Sequence, residues 1–388
     1  MTTGAQFKKT DIGLIPVDWT KLNLGKSASL KARIGWQGLT TAEYLDSGDY
    51  SLITGTDFKN GYIDWDNCVF VEKNRFDQDR NIQIKLNDVL VTKDGTIGKV
   101  ALINKIKKPA TLNSGVFVIR PISNSFNPKY FYYVLRSNHF KDFLEKLSAG
   151  STINHLYQKD FVYYSFPLPP LPEQEAIAEV LSDTDALIGA LEKRIAKKRL
   201  IKQGAMQTLL TPKDDWEVKK LGEVCDIKKG QLITSDTKVE GVIPVIAGGK
   251  KPAYFHNKSN RNGKQITVSG SGANAGFVSF HNYPIFASDC STIGESKKYK
   301  IEYIYYLLML FQEDIYNRQT GGAQPHIHPS DISPIEIPFP PIQEQTHIAN
   351  ILSDMDNEID ALEKKLSKTK ELKQGLMQQL LTGKIRLV

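Results

Sequence analysis

The chain has 388 residues, of which 40% are hydrophobic and 24% charged, which is enough for two or three domains with their own cores. Its net charge of +7 suits a partner with a phosphate backbone. The sequence contains no apolar run of transmembrane length and no secretory signal, and its three cysteines lie far apart. We therefore expect a reduced, cytoplasmic protein without membrane spans, disulfides or a zinc motif.

Residues 1–167 form a first predicted domain, which is rich in short strands. Its apolar runs, such as YSLITG, DVLVTK and GVFVIR, are separated by Gly, Asn and Asp. An aromatic segment, YFYYVLRSNHFKDFLEKL, is predicted to be helical and closes the domain. Most of the positive charge lies here, because residues 1–150 contain 21 Lys and Arg against 15 Asp and Glu.

Residues 168–213 predict a long helix, and the same segment returns at residues 339–384, within a second predicted helical segment at residues 339–388. The two copies are offset by 171 residues and share 25 of 45 positions between Pro169 and Lys213. Apolar residues recur every three or four positions, as in a coiled-coil seam. The predicted seam residues are Leu181, Thr184, Ile188, Leu191 and Ile195 in the first copy, and Leu352, Met355, Ile359, Leu362 and Leu366 in the second.

Residues 214–338 predict a second strand-rich domain whose order of parts matches that of the first domain. Runs such as VIPVIA and KQITVSG precede an aromatic segment, YIYYLLMLFQEDIY. Both domains open alike, with Trp19 six residues before Gly25 and Trp216 six residues before Gly222. Each also ends with the same Gly, His, Asp and Pro spacing.

The sequence therefore predicts an α+β protein in which two strand-rich domains are joined by two long helices. Each helix could reach about 57 Å at 1.5 Å per residue. Their narrow apolar stripes are best buried against each other as an antiparallel coiled coil with pseudo-twofold symmetry. Two separate surface helices remain an alternative. Gly204 and Gly375 occupy matching helix interiors, where glycine costs about 1 kcal/mol, and a close helix approach or a bend would explain them.

These features together resemble the specificity subunit of a type I restriction-modification system. The resemblance covers essentially the whole chain. It rests on the Asp18-Trp19…Leu24-Gly25 and Asp215-Trp216…Leu221-Gly222 openings, the Gly95–Lys99 turn, the PLPPLPEQ and PFPPIQEQ helix entries, and the LLTGKIRL terminus.

The resemblance implies two target recognition domains, each of which reads one half of a split site in double-stranded DNA. It also implies two methyltransferase subunits that bind S-adenosylmethionine, and two restriction and translocase subunits that use ATP and Mg²⁺. This chain itself would be non-catalytic and would hold no cofactor or metal. We expect the methyltransferase subunits to dock at the shared Glu173-Gln174 and Glu344-Gln345 helix entries and at the Leu181–Asp183 and Leu352–Asp354 turns.

Loops rich in basic, amide and small residues are candidate DNA contacts, since Arg and Lys suit guanine and phosphate, and Asn and Gln suit adenine. Ordinary surface loops have the same composition. The candidates are Lys31, Arg33, Trp36, Gln37, Lys93, Thr96 and Lys99 in the first domain, and Lys228, Lys229, Gln231, Ser271, Asn274 and Gln324 in the second.

Several apparent motifs point elsewhere. Gly270, Gly272 and Gly276 resemble a dinucleotide loop, but a strand-like run follows them, so we interpret them as a β-turn equivalent to Gly95–Gly98. His326 and His328 would face the same way on a strand, with no evident third metal ligand. The adenine methyltransferase and Walker motifs are missing from the sequence. A nuclease or methyltransferase acting alone, and a scaffold that binds proteins, remain alternative functions.

Overall fold

The structure, a computed structural model, describes residues 6–35, 38–148, 155–233 and 239–387. Short strands and helices form the first part of the chain and lead into one long helix. In chain order they are β1 Phe7–Thr10, β2 Gly13–Pro16, β3 Thr20–Asn23, α1 Leu24–Ser27, β4 Ala28–Lys31, β5 Tyr50–Ile53, β6 Phe58–Lys59, β7 Tyr62–Ile63, β8 Val69–Val71, α2 Lys73–Asp77, β9 Val89–Thr92, β10 Val100–Leu102, β11 Ala110–Leu112, β12 Val116–Pro121, α3 Pro128–Leu135, α4 Asn138–Ser148, α5 Gln158–Phe161, β13 Ser165–Leu168 and α6 Leu171–Leu209.

The second part repeats this plan and ends in another long helix. Its elements are β14 Glu217–Lys220, α7 Leu221–Val224, β15 Ile227–Lys229, β16 Ile243–Ile246, β17 Tyr254–His256, β18 Gln265–Ser269, β19 Val278–His281, β20 Phe286–Ala287, β21 Cys290–Gly294, α8 Ile301–Leu310, α9 Gln312–Asn317, α10 Pro329–Ile332, β22 Glu336–Phe339 and α11 Ile342–Leu380. Short 3-10 turns occur at Thr41–Glu43, Arg80–Ile82 and Gly272–Asn274.

The chain divides into two compact units, each containing one strand-rich domain with parts of both long helices. Unit 1 comprises Met1–Ala190 and Ser367–Val388, and unit 2 comprises Leu191–Leu366. This division differs from the four sequence-based segments at 167, 213 and 338. Each unit combines one end of α6 with the opposite end of α11, because the two helices pack on each other within both units.

Both units have the same two sheets. A four-stranded antiparallel sheet has the order β4-β12-β9-β10 in unit 1 and β15-β21-β18-β19 in unit 2. A three-stranded sheet has the order β8-β5-β11 in unit 1 and β17-β16-β20 in unit 2, with one antiparallel and one parallel pair in each. The common strand order confirms that two unlike sequences adopt one fold.

An aromatic helix links the sheet to the long helices in each unit. In unit 1, α3 buries Tyr130, Phe131, Tyr132 and Tyr133 in a core that also contains the start of α6 and the end of α11. Asn127 caps this helix by accepting hydrogen bonds from the amides of residues 129 and 130. The aromatic segments predicted as single helices are each broken in two, at residues 136–137 in unit 1 and at residue 311 in unit 2.

Ion pairs show the direction in which the long helices pack. In unit 1, Asp185 of α6 pairs with Lys373 of α11, and Glu173 pairs with Arg386 beyond the end of α11. Residue numbers thus rise along one helix while they fall along the other. Unit 2 shows the same order, with Lys202 paired to Asp356 and Lys213 to Glu344. The predicted antiparallel pairing is confirmed within each unit.

Candidate nucleic-acid interface

A tryptophan from each opening motif binds the entry of a long helix. In unit 1 the fully buried Trp19 donates a hydrogen bond from Nε1 to Glu173 Oε2 at 2.9 Å. In unit 2 the indole of Trp216 donates to Glu344 Oε2 at 3.3 Å. The two glutamates occupy the same repeat position, so the duplicated Asp-Trp openings attach each strand-rich domain to its helix.

The next residue of each helix entry strengthens this attachment. Gln174 donates from Nε2 to the Pro169 carbonyl at 2.8 Å and accepts from the Asn127 amide at 2.8 Å. Gln345 donates to the Pro340 carbonyl at 2.8 Å and accepts from the Lys300 amide at 3.0 Å. Both glutamines are buried. Each accepts a hydrogen bond from a backbone amide at the start of an aromatic helix, so that this amide is not left without a partner.

The docking prediction for the helix entries was therefore wrong in part. Glu173, Gln174 and Gln345 are buried and bonded within their own unit, so they are not available to a separate subunit. The two predicted docking turns are helical, because residues 181–183 lie within α6 and residues 352–354 within α11, and their first residues, Leu181 and Leu352, are buried. These residues recur in both repeats because they attach the strand-rich domains to the long helices.

A second repeated contact joins the aromatic helix to both long helices. Tyr133 donates a hydrogen bond to Asp185 Oδ2 at 3.0 Å, and Lys373 pairs with the same carboxylate. In unit 2, Tyr306 donates to Asp356 Oδ2 at 2.8 Å, and Lys202 is the cation. Each lysine also lies over the tyrosine ring of its cluster, at 5.7 Å in unit 1 and 5.0 Å in unit 2.

The two clusters use equivalent residues with the helices exchanged. In unit 1, α6 supplies the aspartate and α11 the lysine, whereas in unit 2, α6 supplies the lysine and α11 the aspartate. Asp185 and Asp356 are 171 residues apart, and so are Lys202 and Lys373. Such an exchange is what a twofold arrangement of two like helices requires. Burial lowers the pKa of Lys373, with a further lowering by Arg136, while Asp185 opposes both effects.

In unit 1 an arginine beyond the end of α11 completes the attachment. Arg386 donates from Nε to Glu173 Oε1 at 2.6 Å and from Nη2 to Asp18 Oδ2 at 2.6 Å. Its hydrogen bonds to both carboxylates raise the pKa of Arg386, and they hold the pKa of Asp18 below its ordinary value. In unit 2 the exposed Lys213 is the cation that pairs with Glu344.

The first-domain DNA candidates gather at one end of the four-stranded sheet. Strands β4 and β9 run in the same direction, because both are antiparallel to β12. Lys31 ends β4, and Lys93, Thr96 and Lys99 belong to the β9–β10 connection. Lys31, Thr96 and Lys99 are exposed, while Lys93 is half-buried with its ammonium 5.3 Å from the Phe117 ring.

Glycine shapes this connection. Gly95 and Gly98 have φ of +66° and +79°, where side chains are disfavoured. The hydroxyl of Thr92 donates to the Thr96 carbonyl at 2.6 Å and accepts from the Lys99 amide at 2.9 Å. The Thr92 side chain therefore holds the turn, and the Thr96 and Lys99 side chains remain exposed.

The second-domain candidates occupy the equivalent place. Lys229 ends β15, and the Gln231 amide donates to the Ala287 carbonyl at 2.9 Å. Ser271 and Asn274 lie in the β18–β19 connection, which confirms the turn interpretation of the glycine motif. Gln324 is exposed and adjoins that connection, since the Gly272 amide donates to the Pro325 carbonyl at 3.0 Å.

Lys228 lies one residue before the end of β15. Its ammonium is 3.0 Å from Asp226 Oδ2, and both side chains are exposed. It lines a polar groove of about 850 Å³ with Glu295 and Lys298. The mixed charge of this groove makes Lys228 a weaker DNA candidate than Lys229.

Arg33 is a correction to the predicted contacts. Its side chain is only 1% exposed, and its guanidinium donates to the Leu112 carbonyl at 2.9 Å and to Gln78 Oε1 at 3.0 Å. Buried loops need such donors for their backbone carbonyls. The Arg33 side chain therefore stabilises the interior of unit 1 and is not available to DNA. Two further candidates, Trp36 and Gln37, lie outside the described residues.

Sequence reasoning missed two lysines beside the second-domain turn. Lys250 and Lys251 are exposed and follow Gly248, whose backbone approaches the Ser271 carbonyl. The Lys250 ammonium lies 5.1 Å from the Phe277 ring, much as Lys93 lies over Phe117. The Gly-Gly-Lys-Lys run at residues 248–251 was the available signal.

The histidine pair near this turn adopts the predicted orientation. The rings of His326 and His328 are nearly parallel, with centroids 6.3 Å apart. Within the described residues no cluster of three or more metal-ligating side chains occurs. The His326 backbone pairs with Thr320 and Ser271, so this segment supports the turn.

Two strand-rich domains of one fold, each attached to the entry of a long helix by equivalent tryptophan and glutamine contacts, are the features of a two-site specificity protein. The family model for the type I restriction modification DNA specificity domain matches residues 16–199 and 213–374. The chain belongs to this family.

Relatives and solved structures agree with this family. The MjaVIII type I restriction enzyme specificity subunit of Methanocaldococcus jannaschii is 29% identical over 351 residues, covering 79% of this chain and 81% of the relative. The MjaIX specificity subunit of the same organism is 25% identical over 443 residues, covering 98% and 97%. The crystal structure of the S subunit from M. genitalium is 20% identical, has a TM-score of 0.68, and aligns with 93% of this chain and 96% of its own.

Within the described part of the chain, no helix is both long enough and apolar enough to cross a lipid bilayer.

Proposed function

We propose that this chain is the DNA-specificity subunit of a type I restriction-modification complex. Each strand-rich domain reads one half of a bipartite target in double-stranded DNA. The observation that carries the proposal is the repeated architecture. The two units share one fold and equivalent attachments to the long helices, but their turn regions differ in sequence. Family membership supplies the chemical context.

Two features of the turns support DNA as the ligand. The candidate residues that share one end of each sheet include exposed lysines, amides and hydroxyls, the groups that bind phosphates and base edges. The turns differ in sequence, GTIG in unit 1 and GSGANAG in unit 2. Two different half-sites, and hence an asymmetric target, follow from this difference.

We assign the contacts to those candidates within the described residues that remain after Arg33 is removed, and Trp36 and Gln37 stay predicted contacts of the first domain. Lys31, Lys93, Thr96 and Lys99 would contact one half-site. The other half-site would be contacted by Lys229, Gln231, Ser271, Asn274 and Gln324, with Lys228 at the margin and Lys250 and Lys251 as additions. Each lysine that neutralises a phosphate should make binding more sensitive to salt.

The catalytic steps of the proposed complex belong to other subunits. Two methyltransferase subunits would bind S-adenosylmethionine, and two motor and nuclease subunits would use ATP and Mg²⁺. A chain that is 19% identical and similar in fold, with a TM-score of 0.53, comes from work on complex assembly and conformational transition of the type I R-M system. This likeness supports the multisubunit setting.

Methylome sequencing tests the proposal directly. Cells that express this chain with its methyltransferase subunit should show adenine methylation at a split, asymmetric motif. Replacing residues 214–338 with the equivalent domain of another family member should change one half of the motif and leave the other unaltered. The proposal fails if no motif is methylated, or if purified chain and methyltransferase together show no salt-dependent DNA binding.

A further inference from the structure

One carboxylate lies at the turn end of each four-stranded sheet. In unit 1 it belongs to Asp94, which follows β9 and lies in the β9–β10 connection. In unit 2 it belongs to Asp289, which directly precedes β21. Both residues are half-buried. Neither aspartate is among the DNA contacts predicted from the sequence.

The two aspartates occupy equivalent places on opposite strands. In unit 1 the Lys93 amide donates to the Gly115 carbonyl at 2.8 Å, just beyond the last registered pair of the central strands β9 and β12. In unit 2 the Gly270 amide donates to the Asp289 carbonyl at 3.0 Å, just beyond the last registered pair of β18 and β21. Asp94 follows the donor of the first bond, whereas Asp289 supplies the acceptor of the second. Both sheets therefore place a carboxylate at the centre of the same end, although the two sequences do not align it.

Each carboxylate is held through one oxygen only. Asp94 Oδ1 accepts a hydrogen bond from Nδ1 of His155, and Asp289 Oδ2 accepts one from the Ser271 hydroxyl. Within the described residues, the second oxygen of each carboxylate accepts no hydrogen bond from a side chain or the backbone. The side chain of Asp94 is 43% exposed. One oxygen is thus fixed by the protein, and the other is available to a ligand.

The charges around the two carboxylates have the same arrangement. The outer strands carry exposed lysines, with Lys31 at the end of β4, Lys99 beside β10 and Lys229 at the end of β15. Lysines at the edges suit the phosphates on either side of a DNA groove. A carboxylate would repel a phosphate, so its central place suits the base edges that are exposed within the groove.

We propose that Asp94 and Asp289 are specificity-determining residues, each of which accepts a hydrogen bond from the N4 amino group of a cytosine in the major groove. This inference rests on the proposed function. Of the four bases, cytosine alone presents a donor and no acceptor there, whereas the acceptors of adenine, guanine and thymine repel a carboxylate. Each half-site therefore contains a cytosine whose recognition depends on one aspartate.

Asparagine substitution tests each contact separately. Asp94→Asn and Asp289→Asn keep the size of the side chain and replace an acceptor oxygen with an amino group, which suits adenine better than cytosine. Each variant is expressed with the methyltransferase subunit, and the methylome is sequenced. The preference for cytosine should fall about tenfold or more at one position of one half-site. All other positions of both half-sites should be unchanged.

Control variants separate base recognition from support of the turn. Asp77→Asn and Asp314→Asn each remove an exposed carboxylate that pairs with a cation four residues away, and both should leave the motif unchanged. His155→Gln alters the donor that holds Asp94 but keeps the carboxylate. It should lower the amount of methylation while cytosine is still required.

Binding to modified DNA tests the same contact with the unaltered protein. The purified chain and methyltransferase subunit bind a duplex in which a pyrimidinone that lacks the N4 amino group replaces the cytosine. Affinity should fall about tenfold for the unaltered protein. The same replacement should weaken the matching asparagine variant clearly less, because that variant has already lost the contact.

Three results would overturn the inference, and a fourth would overturn the proposed function. Unchanged motifs in Asp94→Asn and Asp289→Asn, or a general loss of methylation without a change of motif, would mean that the aspartates only support the turns. A changed position that is not a cytosine would exclude the proposed contact. An equal effect of the modified base on the unaltered and asparagine proteins would also exclude it. If the unaltered chain directs methylation to no split motif, the proposed function itself fails.

Discussion

One glutamate position in the repeat has different surroundings in its two copies. Glu173 is fully buried and accepts hydrogen bonds from the Trp19 indole and the Arg386 guanidinium. Removing one partner of a buried, hydrogen-bonded ion pair costs about 3–5 kcal/mol, because the other charge loses its compensation. We therefore expect Glu173→Ala to destabilise the chain by about 3 kcal/mol, measured by urea unfolding.

The equivalent substitution in the second copy is the matched control. Glu344 is more accessible and pairs with the exposed Lys213, so water can replace its partner. Glu344→Ala should shift the unfolding midpoint clearly less than Glu173→Ala. Equal shifts would mean that the burial of Glu173 and its contact with Arg386 do not strengthen the attachment of unit 1.

A buried histidine in the second domain should make stability depend on pH. His281 on β19 is hydrogen-bonded to the Thr267 hydroxyl at 2.9 Å, and burial lowers the pKa of His281 to about 4. The unfolded chain then binds a proton below about pH 6.5, whereas the folded chain does not until about pH 4. Stability from this residue is complete above pH 6.5 and is lost as the pH falls towards 4.

The expected loss at pH 5 is about 2 kcal/mol relative to pH 8. His281→Gln cannot titrate in this range and can still bond to Thr267, so its unfolding midpoint should vary less between these pH values. Urea unfolding of both proteins at pH 8 and pH 5 provides the comparison. An equal pH dependence of the two proteins would assign the acid sensitivity to other groups.

The elements that could be predicted from sequence are those with a repeated pattern. The apolar runs of both domains form β5, β9, β12, β16 and β18, since alternation and turn residues determine short strands locally. The helix seam was also readable, because Leu181, Leu191, Leu352 and Ile359 recur at coiled-coil spacing and are buried. These signals depend on neighbours in sequence, so they survive without knowledge of the fold.

Features that depend on distant contacts could not be predicted in this way. The β1–β2 hairpin has short strands without a clear apolar period. The break after α3 involves Ser137, whose hydroxyl donates to the Val134 carbonyl at 2.7 Å and competes with the helix backbone. Arg33 was wrongly predicted to contact DNA, because in the sequence a buried arginine that donates to the carbonyl of a distant strand residue looks like any basic loop residue.

The Asp–Lys ion pairs between the two long helices show how these helices are paired. Asp185 with Lys373, and Asp356 with Lys202, give each unit one copy of the same helix contact. A parallel arrangement of two like helices would pair each residue with its own counterpart and would not produce this exchange. If each unit reads one half of the proposed DNA target, the paired helices are predicted to set the spacing between the half-sites.

Lengthening both helices together should lengthen the unread DNA spacer. Three added heptads in α6 after Ala190, and three in α11 after Leu366, leave the contacts within each unit in register. The twenty-one residues lengthen each helix by about 31 Å, which is the length of about nine DNA base pairs. Three heptads complete about 60° less than a whole number of α-helical turns, so the paired helices also rotate the far domain by about this angle. Nine base pairs complete about 50° less than one turn of DNA, so the rotation of the added DNA nearly matches the rotation of the added helix. Both half-sites should therefore face their domains again.

Methylome sequencing of the lengthened chain should return both original half-sites, with about nine additional base pairs between them. One heptad in each helix is the control, since it adds about 10 Å, or three base pairs, which turn the second half-site by roughly 100°. This shorter variant should methylate poorly, although its helices pair equally well. If the longer variant keeps the original spacer, the paired helices do not determine half-site separation, and the spacing must come from the recognition domains or their partners.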